Sequence, residues 1–142
     1  MTIKQVLGLD FGLKKTGLAI GQTITQTASP IGILKMNAGI IDIVAFQKIL
    51  SLWKPDALVI GIPLKMDGSP FELSAKAEAC AKWLETTTTL PVFRVDERLS
   101  TKAARSELTE IRAATQRKSA VKVVDAYAAV LILESWLHEF TP

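Results

Sequence analysis

Acidic side chains stand at three places where the surrounding residues are largely apolar. Asp10 ends a Val/Leu-rich run, Asp96 and Glu97 end a second apolar run, and Asp125 is the only acid of a long apolar segment near the carboxyl terminus. An isolated buried carboxylate is costly, so such a group normally finds a cation or a hydrogen-bond partner. Carboxylate oxygens without His or Cys select Mg²⁺ or Mn²⁺ over zinc. A cluster of these acids would therefore hold divalent ions, and such sites commonly serve phosphoryl chemistry.

Each acid also has a purely structural interpretation. Asp10 could bond the backbone of the glycine-containing turn that follows it. Asp96 and Glu97 could be solvated loop residues, and Asp125 could pair with Lys122, three residues earlier on a helix. Structural ion pairs explain many acids of this kind. The functional interpretation therefore requires that the three positions converge in space.

The pattern of apolar residues predicts the elements that position these acids. Ser69, followed by Pro70 and by Glu72 three residues past it, is typical of a helix start, and Gly12 and Gly17 around the first link predict a hairpin. Strands are predicted at 6–10, 16–21, 30–34, 57–62 and 91–95, and helices at 43–53, from the Ser69 cap to about 84, at 100–111 and at 121–137, with a loop at 112–119.

This order of elements requires an antiparallel start followed by parallel crossovers. We therefore predict an α/β fold with a five-stranded mixed sheet flanked by helices, as a single domain over residues 1–142. The carboxyl ends of neighbouring parallel strands share one edge of a sheet, which is where ligands bind. Asp10 and Glu97 would meet at that edge, and Asp125 would join them if the last helix packs on the same sheet.

Composition excludes several classes of protein. The 142 residues are 49% hydrophobic and 22% charged, which is typical of a globular chain rather than a disordered one. One cysteine and one histidine exclude an internal disulfide, a thiolate zinc site and a site built on several imidazoles. The chain opens with no signal-peptide pattern, and its longest uncharged stretch contains Gly, Gln, Thr and Pro, so we predict a cytoplasmic protein without a membrane partner. The net charge of +3 is compatible with a polyanionic partner.

The motifs that carry the acids resemble those of the YqgF family. Four blocks occur in the family's order, namely Gly8-Leu9-Asp10-Phe11-Gly12, Val59-Ile60-Gly61-Ile62-Pro63 with Met66-Asp67-Gly68-Ser69, Asp96-Glu97-Arg98-Leu99-Ser100-Thr101, and Asp125-Ala126 with the apolar helix after it. These small bacterial ribonuclease H-like proteins are described as Holliday-junction-resolvase-like and as nucleases for pre-16S ribosomal RNA.

The resemblance implies a ribonuclease H-like fold in which Asp10, Glu97 and Asp125 are the catalytic residues and hold Mg²⁺ or Mn²⁺. It implies a hydrolase of phosphodiester bonds in structured nucleic acid, and above all 5′-end processing of precursor 16S ribosomal RNA in ribosome biogenesis. A resolvase of Holliday junctions or other branched DNA is the alternative within the same resemblance.

Either Asp96 or Glu97 could be the second acid of this site. Related resolvases carry that acid at the end of the fourth strand, which here ends in Gly61-Ile62-Pro63 without one. If Val95 faces the packed side of the sheet, alternation places Asp96 and Glu97 on opposite sides. We favour Glu97 because of its longer reach, and Asp96 would then orient Arg98 or bond the loop.

Other residues are expected to support the site. Glycines allow a backbone or a phosphate to approach closely, and a loop after the fourth strand lies near the same edge. These supporting positions are Gly12, Gly17, Gly61, Pro63, Asp67, Gly68 and Asp96. Basic side chains could neutralise the phosphates of a bound strand, and segment 112–122 carries four of them and no acid. The candidates for this nucleic-acid-binding role are Lys14, Lys15, Arg98, Arg112, Arg117, Lys118 and Lys122.

Two other classes of function remain open from the sequence. Asp10-Phe11-Gly12 followed by Lys and Gly resembles the first phosphate loop of sugar kinases and actin-like ATPases, but those proteins clamp a nucleotide between two such domains. The chain could instead be a non-catalytic nucleic-acid-binding or ribosome-assembly module, although a pure phosphate binder would gain by losing the three acids. We expect a monomer or a weak homodimer, since symmetric cleavage of a junction would favour a two-fold dimer.

Overall fold

The structure is a computed structural model that describes residues 2–97 and 118–140. Within these residues the chain forms one sheet of six strands and three helices. The strands are β1 Gln5–Asp10, β2 Lys15–Gln22, β3 Thr27–Asn37, β4 Ile40–Ile41, β5 Ala57–Ile62 and β6 Val92–Asp96, and the helices are α1 Ile43–Trp53, α2 Glu72–Thr88 and α3 Lys118–Glu139. The predicted mixed α/β sheet is confirmed.

The predicted number of five strands is wrong, because β4 adds a sixth. β4 has only two residues, which pair with Met36 and Asn37 of β3. A strand this short leaves no alternating pattern in the sequence, since alternation needs at least four residues to be recognised. The other five strands lie where the apolar pattern predicts them, although β3 is longer at both ends than predicted.

The order of strands in the sheet is β4-β3-β2-β1-β5-β6. The first four strands are antiparallel neighbours, whereas β5 pairs in parallel with both β1 and β6. The carboxyl ends of β1, β5 and β6 therefore lie at one edge of the sheet, which we call the carboxyl edge. In this register Asp10 is opposite Gly61, and Gly61 is opposite Val95.

Alternate residues of the strands face two different cores. Leu7, Leu9 and Leu58 pack with α1 and α2 on one face, whereas Val6 and Val59 pack with α3 on the other. Both sets are fully buried, and each such side chain contributes about 1.5–3 kcal/mol of burial free energy. The central strands are consequently fixed from both sides. None of the helices in the described ranges combines the length and the apolar character needed to cross a bilayer.

Helix α2 begins two residues later than the sequence predicts. The side chain of Asp67 accepts hydrogen bonds from the backbone N–H and the hydroxyl of Ser69, at 2.9 Å and 2.6 Å, so this serine is engaged in a turn. Phe71 is the N-cap residue instead, and its N–H donates to Ser74 Oγ at 3.0 Å. The predicted cap fails because a nearer carboxylate captures the hydroxyl.

Helix α3 begins at Lys118 rather than at the predicted residue 121. Lys118 therefore lies on the helix and not in the predicted loop 112–119. Ser119 lies on the helix as well, whereas the predicted helix 100–111 and residues 112–117 of that loop lie outside the described residues.

Candidate active site at the carboxyl edge of the sheet

Asp10 is the last residue of β1 and lies on the α3 face of the sheet. Its strand neighbours at alternate positions, Val6 and Gly8, both contact α3, and side chains two residues apart point to the same face. Asp10 is flanked by Gly17 of β2 and Gly61 of β5. Because neither neighbour has a side chain, no side chain of residue 17 or residue 61 fills the space beside the half-buried carboxyl group of Asp10.

Glu97 lies over the part of this space that is next to Gly61. It follows β6 directly, and a Cβ built on Gly61 would be 3.0 Å from Glu97 Cγ and 3.3 Å from Glu97 Oε1. The same Cβ would be 2.6 Å from Ile132 Cδ1 of α3. The carboxylate of Glu97 is thus held above Gly61, the residue opposite Asp10, on the α3 side of the sheet. Register and contact together bring Asp10 and Glu97 to one place.

Asp96 lies on the opposite face of the sheet from Glu97. Arg94, two residues before Asp96, donates to Glu78 at 2.9 Å and to Glu85 at 2.7 Å, and both acids belong to α2. The hydrogen bond from Arg94 lowers the pKa of Glu85. Alternation places Asp96 on this α2 side, as Val95 packs on the α3 side.

The backbone of α3 leads toward the same edge. Leu137 packs over Gly21, which pairs with the beginning of β1, and Ala129 packs over Gly8, further along β1. From Leu137 to Ala129, helix α3 therefore runs along β1 toward the carboxyl end of that strand. One more turn of helix, four residues, leads from Ala129 to Asp125. The side chain of Asp125 is not among those described, so its part in the site stays a prediction.

The turn between β1 and β2 is tightly closed. A Cβ on Gly12 would lie 2.2 Å from the carbonyl oxygen of Lys15, so only glycine fits there. The N–H of Gly12 faces Thr16 Oγ1 at 3.4 Å. Lys14 is the last residue of the turn and Lys15 the first residue of β2, and both are exposed beside the carboxyl edge. Gly17 lies within β2, in the strand that the sequence predicts at 16–21.

The loop after β5 is closed by its own hydrogen bonds. The N–H of Lys65 donates to the Ser69 carbonyl at 2.9 Å, and Gly68, at a φ of 91°, donates to the Lys65 carbonyl at 2.8 Å. Buried Ser74 donates from its hydroxyl to the carbonyl oxygen of Pro63, which ties α2 to the end of β5. Gly61 lies inside β5, in the strand predicted at 57–62, and makes room there for Glu97.

The remaining predicted basic side chains are not among those that the structure describes. Arg98, Arg112 and Arg117 lie outside the described residues, and Lys118 and Lys122 are on α3 with side chains that are not described. Among the described side chains, no three of the types His, Cys, Asp and Glu come close enough together to hold a metal ion. Asp10 and Glu97 supply two carboxylates of the all-oxygen type that Mg²⁺ and Mn²⁺ prefer, and Asp125 would be the third.

A cleft on the opposite face carries no comparable chemistry. It has a volume of about 380 Å³ and lies between β4 and α2, with Lys76, Cys80 and Trp83 in its lining. Burial raises the pKa of the Cys80 thiol to about 11, so the thiol stays protonated at neutral pH and is not an activated nucleophile.

Comparison with known proteins agrees with this geometry. The family model described as "RuvX: Holliday junction resolvase" matches residues 4–139. The chain belongs to the RuvX family. This is the YqgF family that the motifs resemble. A Pseudomonas putida relative named "Putative pre-16S rRNA nuclease" is 42% identical over 139 residues, which cover 98% of each chain. A Coxiella burnetii relative of the same name is 43% identical, over 94% of this chain and 92% of the relative.

Solved structures share the fold of this RuvX-family chain at low sequence identity. RuvC of Thermus thermophilus in complex with a Holliday junction substrate has a TM-score of 0.60 at 13% identity, over 93% of this chain and 92% of that one. The Fowlpox virus resolvase with its Holliday junction DNA has a TM-score of 0.52 at 14% identity, over 94% and 97%. These likenesses confirm the predicted ribonuclease H-like fold. The family itself is one of hydrolases that act on phosphodiester bonds of nucleic acid, as predicted.

Ile132 contributes to the site of this RuvX-family chain, although no motif in the sequence predicted it. Ile132 forms the wall of α3 above Gly61, where its Cδ1 atom occupies the space that a side chain at residue 61 would need. The available signal was the single glycine in an otherwise apolar and largely buried strand, which indicates a close approach by another part of the chain. In the sequence, Ile132 itself cannot be distinguished from the other apolar residues of the last helix.

Proposed function

We propose that this chain is a divalent-metal-dependent endonuclease that matures the 5′ end of precursor 16S ribosomal RNA in the cytoplasm. The observation that carries the proposal is the placement of Glu97 over Gly61, opposite Asp10 in the sheet register. Two carboxylates that lie close together at the carboxyl edge repel each other, and a divalent cation bound between them would offset that repulsion. The names of the curated relatives support RNA as the substrate.

In this mechanism Asp10, Glu97 and Asp125 hold Mg²⁺ or Mn²⁺. When bound, such ions neutralise charge on the phosphate and on the leaving oxygen of an in-line displacement. The chain's own contribution is positioning. Gly61 leaves the space in which Glu97 is held, and Ile132 covers that space from the α3 side, which limits the access of water. Exposed Lys14 and Lys15 lie beside the acids, where they can attract the phosphate backbone of a substrate.

Cleavage of branched DNA is the second candidate for this site. The family description names Holliday junction resolvases, and the two structural relatives above were solved with junction DNA. The acids of such a site act on the phosphate and do not distinguish ribose from deoxyribose. Membership in this family argues against the ATPase interpretation, and a non-catalytic module would not need a pair of acids at one edge.

The test is a cleavage panel with purified protein in Mg²⁺ or Mn²⁺. The substrates are a precursor 16S ribosomal RNA fragment, a four-way DNA junction and single strands of each kind. We expect cleavage of the precursor RNA at the 5′ end of the mature sequence. Asp10→Asn should reduce the rate at least about 10³-fold, because removing one negative charge from the cluster weakens metal binding and charge stabilisation. Circular dichroism should show that the variant folds.

Glu97→Gln and Asp96→Asn form a matched pair for the second acid. Each removes one charge at neighbouring positions, but only Glu97 lies on the α3 face. We expect Glu97→Gln to lose cleavage as Asp10→Asn does, and Asp96→Asn to keep it within about tenfold. Equal loss in both variants would contradict the assignment of Glu97. Full activity of Asp10→Asn, or binding of every substrate with no cleavage by the wild type, would refute the nuclease.

A further inference from the structure

Two lysines face each other directly across β2 and β3. Lys15 of β2 is the register partner of Lys35 of β3, and both side chains are exposed. Side chains of directly opposed residues lie about 4.5–5.5 Å apart at their Cβ atoms, and like charges in such pairs are destabilising. Lys35 forms no ion pair or side-chain hydrogen bond within the described residues.

This lysine pair lies on the α3 face of the sheet, the face that carries Asp10 and Glu97. On β2, Ala19 packs with α3 and Leu18 packs with the other core, so Lys15 shares the α3 face with Gly17. Gly17 is the register partner of Asp10. Strand spacings place the Cα atoms of Lys15 and Lys35 about 8 Å and about 12 Å from that of Asp10, toward β3 and beyond the end of β1.

The backbone around the pair is fixed before any ligand arrives. The N–H of Met36 donates to the Lys14 carbonyl at 2.9 Å, and the N–H of Gly39 donates to the Leu13 carbonyl at 3.0 Å. These two bonds join the β1–β2 turn to the β3–β4 hairpin. Lys15 and Lys35 therefore keep their separation, and binding an anion between them does not require the strands to be ordered.

We propose that Lys35 and Lys15 form a phosphate site that holds the nucleic-acid backbone one or two nucleotides away from the reacting phosphate. This inference rests on the proposed nuclease function, and it assigns to Lys35 a role that no sequence motif indicates. A lysine ammonium is a compact point charge suited to a single phosphate, and it carries no information about base identity. The bound strand then crosses the sheet from the acids toward β3, and this part of the interface is independent of sequence.

The test compares Lys35→Gln with Lys48→Gln, a matched loss of one exposed lysine on α1, on the other face of the sheet. Binding of the precursor RNA fragment and of the four-way junction is measured in EDTA, which prevents cleavage, between 50 and 200 mM salt (a range in which phosphate contacts change affinity strongly). We expect Lys35→Gln to weaken binding about three- to tenfold and to lower the slope of log K against log salt by about 0.7–0.9, the value of one phosphate contact. Lys48→Gln should change neither quantity.

A second measurement separates a binding role from a structural one. Lys35→Gln should raise KM with little change in kcat, and its thermal midpoint should stay close to that of the wild type, because Lys35 makes no ion pair or side-chain hydrogen bond within the described residues. Binding and salt slope equal to those of Lys48→Gln would overturn the inference while leaving cleavage, and hence the nuclease, intact. Absence of cleavage by the wild type would refute the nuclease alone, since the salt dependence in EDTA reports on Lys35 separately.

Discussion

At the scale of single residues, the missing side chain of Gly61 determines where the acid of Glu97 can lie. A Cβ at this position would come within 3.0 Å of Glu97 Cγ, and 3.0–3.4 Å is already tighter than ordinary van der Waals contact. Glu97 can reach the neighbourhood of Asp10 only because that volume is empty. The absence of a side chain at this one position of β5 thus allows the acid that ends β1 and the acid that follows β6 to approach each other.

Gly61→Ala should therefore impair metal binding more than it impairs folding. The added methyl group pushes the Glu97 side chain and the flexible end of Ile132 away, and overpacking of this kind destabilises a fold by about 1–3 kcal/mol. We expect the concentration of Mg²⁺ or Mn²⁺ at half-maximal cleavage to rise at least about tenfold, because a displaced ligand binds the ion more weakly. Titration of the cleavage rate with each metal measures this shift.

Gly21→Ala is the control for that prediction. Its added Cβ would also meet α3, at 2.9 Å from Leu137 Cδ1, and would lie 2.9 Å from the backbone carbonyl oxygen of Thr27, beside the beginning of β1 and away from the acids. It should lower stability at least as much as Gly61→Ala, because a backbone atom cannot move aside as a side-chain end can, and it should leave the metal requirement unchanged. An equal rise in both variants would show that the effect comes from general loosening of α3.

At the scale of elements, Ser74 joins the first turn of α2 to the end of β5. Its hydroxyl accepts from the N–H of Phe71 at 3.0 Å and donates to the carbonyl of Pro63, and the residue is only 4% exposed. Both partners are backbone groups, the Pro63 carbonyl in a buried place and the Phe71 N–H in a partly buried one, and backbone groups in such places need a bond. The element that carries Gly61 and the helix that covers the other core are thereby held together.

Ser74→Ala should lower the free energy of unfolding by about 1–3 kcal/mol, because it leaves one buried carbonyl and one helix-start N–H without a partner. Urea unfolding followed by circular dichroism measures the difference. Faster hydrogen exchange is expected at the amides of Lys65 and Gly68, in the loop that Ser74 anchors. Ser51→Ala, on the exposed side of α1, should be nearly neutral, and similar losses in both variants would contradict the role of Ser74.

The same elements show what the sequence can and cannot predict. Apolar runs located β1, β2, β5 and β6 well, because burial on both faces leaves a strong local pattern. Alternation from Val95 was enough to separate Asp96 from Glu97. Competition for one hydroxyl decided the start of α2, and the local sequence did not reveal that Asp67 would win. Strand register is set by turns and long-range packing, so the pairing of Lys15 with Lys35 could not be predicted from spacing.

At the scale of the whole molecule, acids with different roles lie at the two edges of the sheet where its central strands begin and end. The carboxyl edge carries the candidate site acids Asp10 and Glu97, whereas an acid at the opposite edge, where β1 and β5 begin and which we call the amino edge, bonds these two strands together. Asp56, just before β5, accepts from the N–H groups of Lys4 and Gln5 at 2.9 Å and 3.0 Å through Oδ2. Its own N–H donates to the Gln5 carbonyl at 2.8 Å. These bonds join β1 to β5, the parallel pair that places Asp10 opposite Gly61.

The bonds from Gln5 and Lys4 lower the pKa of Asp56 below its ordinary value of 3.8. A lowered pKa means that the folded state favours the charged form, so the stabilisation is complete above about pH 5 and is lost as the pH falls through the folded-state pKa. Asp56→Asn should cost about 1 kcal/mol of stability at pH 7, the contribution of charge-assisted bonds at a partly exposed site. The difference between wild type and variant should vanish toward pH 2.

Urea unfolding at pH 7, 5, 4 and 3 measures that convergence. Glu139→Gln, at the exposed end of α3, is the matched loss of one carboxylate, and at pH 7 it should change stability by no more than about 0.5 kcal/mol. If Asp56→Asn ran parallel to the wild type at every pH, the tie between β1 and β5 would be carried by the neutral backbone bonds. A convergent curve would instead show that one carboxylate at the amino edge helps to keep in register the strands that hold two others at the carboxyl edge.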